Sequence, residues 1–226
     1  MHAVGIVAAA GSGLRLGAEQ PKALVPLGGR PLVCWAVDAL RAGGVAEVVV
    51  AVPAPQRAAF AAVLPEDVHV VVGGDTRTAS VRAALAAARQ HASDHERTAV
   101  LVHDAARPLT PPDVVARVLA ALAAGARAVV PVLPVVDTIV VVDSDGVVTA
   151  DVPRVSLRRV QTPQGFDRAT LVDAYARSHG TAAEFTDDAS VVRAAGIPVQ
   201  TVAGDERAAK ITVAHDLALA ELQVRA

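Results

Sequence analysis

The sequence predicts an α/β fold, and three observations carry that prediction. Short apolar runs rich in valine alternate with longer stretches of helical period, the order that builds right-handed βαβ units and a parallel sheet with helices on both faces. The first run opens into a glycine-rich loop, which puts a strand end and several backbone amides at one place. The chain has 226 residues, 53% of them hydrophobic, enough for a full core and no demand for a second domain. The expected architecture is a single-domain, Rossmann-like, mostly parallel twisted sheet with an inserted β-hairpin arm.

Residues 3–7 form the first strand, because the apolar run is unbroken and lacks the basic leader of a signal peptide. Residues 8–24, AAAGSGLRLGAEQPKAL, are the loop. Residues 31–41 (PLVCWAVDALR) have helical apolar spacing behind a proline suited to a first turn, and Gly43-Gly44 ends them. Residues 47–52 (EVVVAV) follow as a buried strand, 56–64 as an alanine-rich helix, 68–72 (VHVVV) as a third strand and 80–91 as a third helix. A fourth strand fits 98–102, a helix 112–124 and a fifth strand 127–132. Residues 134–160 break the alternation: β-branched runs flank a Ser144-Asp145-Gly146 turn, which predicts a hairpin that covers a site or reaches a partner. Helices return at 167–177 and 187–195, a last strand fits 198–202, and 213–224 closes as a helix.

Aromatic residues are only 2% of the chain, so the core must be built from Ala, Val, Leu and Ile in close contact. A net charge of −2 gives no overall attraction to nucleic acid or an anionic membrane, and any anion site must be local. The single cysteine, Cys34, cannot form an intrachain disulfide, which fits a reducing cytoplasm. No uncharged run reaches the length of a membrane helix. Lys22 and Lys210 are the only lysines among 21 basic residues; a lysine kept among arginines suits a place that needs a compact, flexible point charge.

The loop is not a P-loop, since Gly-Lys-Ser/Thr is missing, and its glycines (Gly11, Gly13, Gly17) run G-x-G-x-x-x-G, one residue too long for the dinucleotide fingerprint. The second strand ends AVPAP, without the acid that holds a ribose in that fold. Arg15 and Lys22 add two positive charges to the loop. Ligands bind at the carboxyl ends of strands in open α/β sheets, and two more polar clusters fall there. In GGDTRTASV (73–81), the amides at Gly74 and Asp75 and the Ser80 hydroxyl could read the edge of a base, or the segment could simply start a helix through Thr76, Thr78 or Ser80. In VHDAARP (102–108), Asp104 is placed to meet a hard cation such as Mg²⁺ through oxygen. Its structural alternative is an Asp104–Arg107 ion pair. His103 reads as a packed histidine, because no other His or Cys lies at metal spacing.

The loop AAAGSGLRLGAEQPKAL resembles the signature loop of sugar-phosphate nucleotidylyltransferases. Together with GGDTRTASV, VHDAARP, Asp137-Thr138, Thr162-Pro163-Gln164, Thr186-Asp187-Asp188-Ala189 and Lys210-Ile211-Thr212, it is similar in order and spacing to the 2-C-methyl-D-erythritol 4-phosphate cytidylyltransferase family. The resemblance implies a magnesium-dependent cytidylyltransferase. It places Ala9, Ala10, Gly11 and Gly13 along the CTP, Arg15 and Lys22 on its triphosphate, and Gly74, Asp75 and Ser80 on cytosine. Asp104 is implied to help hold Mg²⁺ and, with Arg107, Thr138, Arg154, Thr162 and Lys210, to surround the acceptor, a polyol phosphate. Arg15, Lys22 and Lys210 are implied as the catalytic charges. The hairpin is implied to be the arm of a cytoplasmic homodimer, carrying Arg154 into the neighbouring subunit's site. One departure stands out: the family usually has Asn two residues before its C-terminal lysine, where this chain has Ala208. The nearest alternative is the related enzyme acting on D-ribitol 5-phosphate, and a remote one is a non-catalytic CTP-sensing module. Retention of Lys22, Lys210 and Asp104 speaks for catalysis, since binding alone does not need transition-state charges.

Overall fold

In the computed structural model, which describes residues 1–10, 20–91, 98–178 and 185–225, strands and helices alternate in the expected order. β1 (His2–Ala8) precedes a two-rung ribbon, β2 (Pro26–Leu27) with β3 (Arg30–Pro31). Then come α1 (Leu32–Ala42), β4 (Glu47–Val52), α2 (Arg57–Val63), β5 (His69–Val72), α3 (Arg77–His91), β6 (Thr98–Asp104), α4 (Pro112–Ala123) and β7 (Ala128–Pro134). The chain continues through β8 (Ile139–Val142), β9 (Val148–Val152), β10 (Arg158–Val160) and β11 (Gln164–Asp167). It ends with α5 (Arg168–Arg177), α6 (Asp188–Ala194), β12 (Gln200–Ala203) and α7 (Ala214–Arg225).

Among the described residues the main sheet has eight strands, with β5, β4, β1, β6, β11 and β7 side by side. β1 pairs in parallel with both β4 and β6, β4 with β5, and β12 with β7. β10 and β11 run antiparallel to β7, and β11 is also antiparallel to β6. Val132 pairs with both Val160 and Ala203, so β10 and β12 lie on opposite edges of β7.

The strands read as unbroken apolar runs because both faces of the sheet are covered. In β4, Val48, Val50 and Val52 enter one core with Val33, Val37 and Leu40 of α1 and Val115, Val118 and Leu122 of α4. Val49 and Ala51 enter the other core with residues of α3, α5 and α6. Both cores are dominated by Ala, Val and Leu, as the scarcity of aromatics requires, with Phe60 and Phe166 the largest fully buried side chains among the described residues. A third, smaller cluster joins Leu27, Leu32 and Ile211 to Ala220 of α7.

Three features correct the sequence reading. Within residues 134–160 only β8 and β9 form the separate ribbon, closed by a turn with Gly146 at φ 81°. The outer parts of that stretch instead belong to the main sheet, where Pro134 pairs with Arg158. In addition, β11 is an extra antiparallel strand inserted between β6 and β7. α3 begins at Arg77 and not at residue 80, because Thr76 accepts a hydrogen bond from Ala79 N (3.1 Å) and starts the helix earlier.

Candidate active site

The parallel register brings three strand ends together. Ala8 pairs with Asp104, Ala105 N donates to Ala8 O (3.3 Å), and Ala9 N donates to Ala51 O (3.0 Å). On the far side, Gly73 N donates to Val52 O (2.8 Å). A Cβ added at Gly73 would stand 2.6 Å from Ser80 Oγ and 3.5 Å from the Ala10 methyl, and one at Gly74 would stand 2.5 Å from the Ala79 methyl. Both glycines are therefore needed for the close approach of this loop to α3. Ser80, buried at 1% exposure, accepts from Gly74 N (3.2 Å) and has its own hydroxyl within reach of Thr76 O (2.9 Å) and Gly74 O (3.1 Å). Its hydroxyl thus shapes the Gly73-Gly74 turn, while Asp75 stands exposed beside it.

Asp104 closes β6 at 8% exposure. It takes two cations that sequence spacing does not bring near it. Lys210 Nζ donates to Oδ2 (2.8 Å), and the Arg77 guanidinium reaches Oδ1 at 3.4 Å through both Nε and Nη2. Burial opposes the charge of Asp104, but Arg77 and Lys210 outweigh it and hold the carboxyl well below the usual carboxylate range. The expected alternative, an Asp104–Arg107 ion pair, is not what forms. Arg107 instead donates to Ala208 O (2.6 Å) and Val160 O (3.3 Å), and its buried Nε has no hydrogen-bond partner among the described residues.

Beneath Asp104 lies a second set of partners. His103 is fully buried, and its Nε2 lies 3.2 Å from Arg107 O, which can only accept, so Nε2 carries the proton. Nδ1 then accepts from the Thr162 hydroxyl (2.9 Å), and Thr162 Oγ1 accepts in turn from Asp104 N (3.0 Å). Burial pushes the His103 imidazole down to about 4, so it is neutral at physiological pH, the packed histidine that the sequence suggested. Thr162 is 4% exposed, and its hydroxyl joins the end of β6 to the start of β11.

The segment carrying Lys210 is held from below. Gln161 donates to Asp205 O (2.8 Å) and accepts from Asp205 N (3.0 Å), pairing with the backbone as a neighbouring strand would. Asp205 caps the turn Glu206–Ala208, Arg107 grips its last carbonyl, and Ile211 N donates to Ala106 O (2.8 Å). This answers the departure at Ala208. Its methyl is fully buried and its carbonyl, not a side-chain amide, anchors the turn that presents Lys210. Further on, Asp216 of α7 accepts from Thr212 N (2.6 Å) and Val213 N (3.0 Å). Those N–H groups hold the Asp216 carboxyl low, and the charge of Lys22 adds to the effect. Lys22, partly buried in the turn Lys22–Leu24, thus lies on the same side as the Lys210 segment.

Ala9, Ala10, Gly74, Ser80, Asp104, Arg107, Thr162 and Lys210 therefore gather at the carboxyl end of the sheet. Gly11, Gly13, Gly17 and Arg15 lie outside the described residues. Thr138 and Arg154 stand exposed at the base of the arm, where Arg154 donates to the Val136 carbonyl of its own chain. Residue spacing missed the Arg77, Tyr175, Asp188 and Gln161 interactions. Arg77 and Asp188 sit inside the quoted motifs GGDTRTASV and Thr186-Asp187-Asp188-Ala189, and that was the one signal available for them.

A doubly covered, mostly parallel sheet with polar residues at its strand ends is a frame that nucleotidyltransferases use, and comparison with known proteins places this chain in that class. The IspD family model, described as 2-C-methyl-D-erythritol 4-phosphate cytidylyltransferase, matches residues 3–226, and the chain belongs to that family. It is 53% identical to the 2-C-methyl-D-erythritol 4-phosphate cytidylyltransferase of Nocardia farcinica, over 96% of this chain and 92% of the relative. It is 52% identical to that of Saccharopolyspora erythraea, over 98% of each. The crystal structure of the Thermus thermophilus enzyme superposes with a TM-score of 0.82 at 40% identity, covering all of both chains.

Proposed function

We propose that this chain transfers a cytidylyl group from CTP to 2-C-methyl-D-erythritol 4-phosphate and releases pyrophosphate. Family membership across residues 3–226 is the observation that carries this reading. A phosphate oxygen of the acceptor attacks the α-phosphorus of CTP; a new P–O bond forms as the bond to the departing pyrophosphate breaks. The acceptor phosphate is already anionic near neutral pH, so alignment and neutralisation of charge are the main demands.

Ala9, Ala10, Gly11 and Gly13 line the nucleotide, Gly74, Asp75 and Ser80 read the cytosine, and Arg15 and Lys22 hold the triphosphate. Lys210 and Arg107 face the acceptor, with Thr162 fixing the strand end between them. Among the described residues no group of three or more His, Cys, Asp or Glu side chains could hold a metal ion by itself. In this reading the divalent cation arrives with CTP as the magnesium–nucleotide substrate, and Asp104 offers it one hard oxygen. The cation supplies charge neutralisation on the phosphates. A second copy of the chain supplies the partner of the arm, whose Val136, Ile139, Val140, Val141, Val142, Val148 and Val155 are all exposed. Arg154 reaches the partner's site across that interface, and Thr138 joins the surroundings of the acceptor. No helix among the described residues is long and apolar enough to cross a membrane, and we place the enzyme in the cytoplasm.

Pyrophosphate release measured with Mg²⁺–CTP and a panel of polyol phosphates tests the reading. Turnover is expected with methylerythritol phosphate. Preference for D-ribitol 5-phosphate would give the substrate to the alternative, and tight CTP binding with no release for any acceptor would support a sensor.

A further inference from the structure

Asp188, the first residue of α6, is fully buried and is not itself at a strand end. Tyr175 Oη of α5 donates to its Oδ1 at 2.5 Å, and Arg77 Nη1 of α3 donates to its Oδ2 at 2.5 Å. The same guanidinium reaches Asp104 only at 3.4 Å. Arg77 is thus shared unequally between two carboxylates, gripped by the inner one and leaning loosely on the outer one. Asp104, in turn, is bound more closely by Lys210, whose side chain is 47% exposed and has room to move away.

We propose that Asp188 is a positioning residue for the transfer site: anchored by Tyr175, it holds Arg77 off Asp104 and so keeps that carboxylate open to the cation of the magnesium–CTP substrate. The inference rests on the reading above that Asp104 meets this cation. Among the directly bonded groups, Arg77 and Lys210 balance Asp104 and Asp188, and Arg107 adds a further positive charge nearby. Loss of the Asp188 charge leaves an excess positive charge, and the Arg77 fork is released to close on Asp104, the geometry in which guanidinium binds carboxylate best. Both effects repel an incoming divalent ion.

The test uses the full chain with Mn²⁺ as the probe, its binding in the presence of CTP read from the loss of the free-ion electron paramagnetic resonance signal, alongside Mg²⁺ titration of turnover. Asp188→Asn is expected to weaken Mn²⁺ binding about tenfold, the scale of one extra charge a few ångströms from a divalent ion. Tyr175→Phe keeps every charge and is expected to weaken it about two- to threefold, the scale of one lost hydrogen bond. The double variant Arg77→Gln/Asp188→Asn restores the parental net charge and should bind Mn²⁺ nearly as the parent does, a rescue that a purely structural role does not predict. Unchanged Mn²⁺ binding in a folded Asp188→Asn, or a double variant as weak as the single, overturns the proposal. Should Asp188→Asn fail to fold, an unchanged Tyr175→Phe does the same. Asp104→Asn separates the two levels: if it leaves Mn²⁺ binding unaltered, the reading of Asp104 itself falls and this inference with it; if it weakens binding while Asp188→Asn does not, only the positioning role is lost.

Discussion

The carboxamide of Gln161 occupies the space where a side chain on Gly204 would begin, with Oε1 closer to an ideal Cβ there than real contacts allow. Gly204→Ala is therefore expected to displace the amide from Asp205 and leave the buried Gln161 amide and half-buried backbone groups unpaired. The cost should be about 1–3 kcal/mol in stability. Turnover should fall as well, because Lys210 hangs from the turn that Gln161 supports. Urea unfolding and steady-state kinetics measure the two effects, and a variant with parental stability would show the amide to be dispensable.

Lys22→Ala and Arg15→Ala are expected to lower kcat about a hundredfold, roughly 3 kcal/mol of transition-state stabilisation, while CTP affinity changes far less. The reason is that negative charge shifts toward pyrophosphate as the reaction proceeds, so these cations act most strongly after the ground state. Single-turnover rates set against equilibrium CTP binding decide it; equal losses in both would mean simple anchoring.

His103 makes the fold sensitive to acid. Its imidazole titrates near 4 when folded, against 6.5 for the ordinary side chain. The unfolded chain therefore takes up its proton first, and stability present above pH 6.5 drains away as pH falls toward 4. Between about pH 7 and pH 5 this amounts to about 2 kcal/mol. Asp104, held low in the fold, adds its own loss only as pH drops through the ordinary carboxylate range, about 4 and below. Unfolding at about pH 7 and about pH 5 should thus show a steeper decline for the parent than for His103→Gln; parallel declines would remove His103 as the cause.

Mixing inactive Arg154→Ala and Lys22→Ala proteins should restore activity. If Arg154 serves the neighbour's acceptor site, some mixed dimers contain one site with both lesions and one with neither. Continued inactivity after demonstrated subunit exchange would place Arg154 in the service of its own chain.

The strands and helices were legible because each carries a local pattern. β4 sends Val48, Val50 and Val52 to one core and Val49 and Ala51 to the other, and its short, valine-rich unbroken run suits a strand covered on both sides. β11 escaped because four residues, QGFD, have no such pattern, and their burial comes from β6 and β7 on either side, α4 over Gly165 and the helical core around Phe166. The strand-end residues of the site were legible for the same topological reason. The partners of Asp104 were not: the nearby Arg107 turns to Ala208, while Arg77 and Lys210 arrive from 27 and 106 residues away. Ion pairing across such distances is decided by packing of whole elements, which spacing along the chain does not encode.

Pro134 and Arg158 face each other across one rung of the ladder between β7 and β10, so the chain departs and returns at a single doorway. Whatever lies between them is a cassette. Residues 135–157 could be lengthened, recoloured or exchanged without changing the order of a single strand in the main sheet or moving Thr162 away from Asp104. In the proposed dimer, evolution can thus rewrite how the copies meet, outside the few functional positions proposed on the arm, while the chemistry stays where the parallel strands put it.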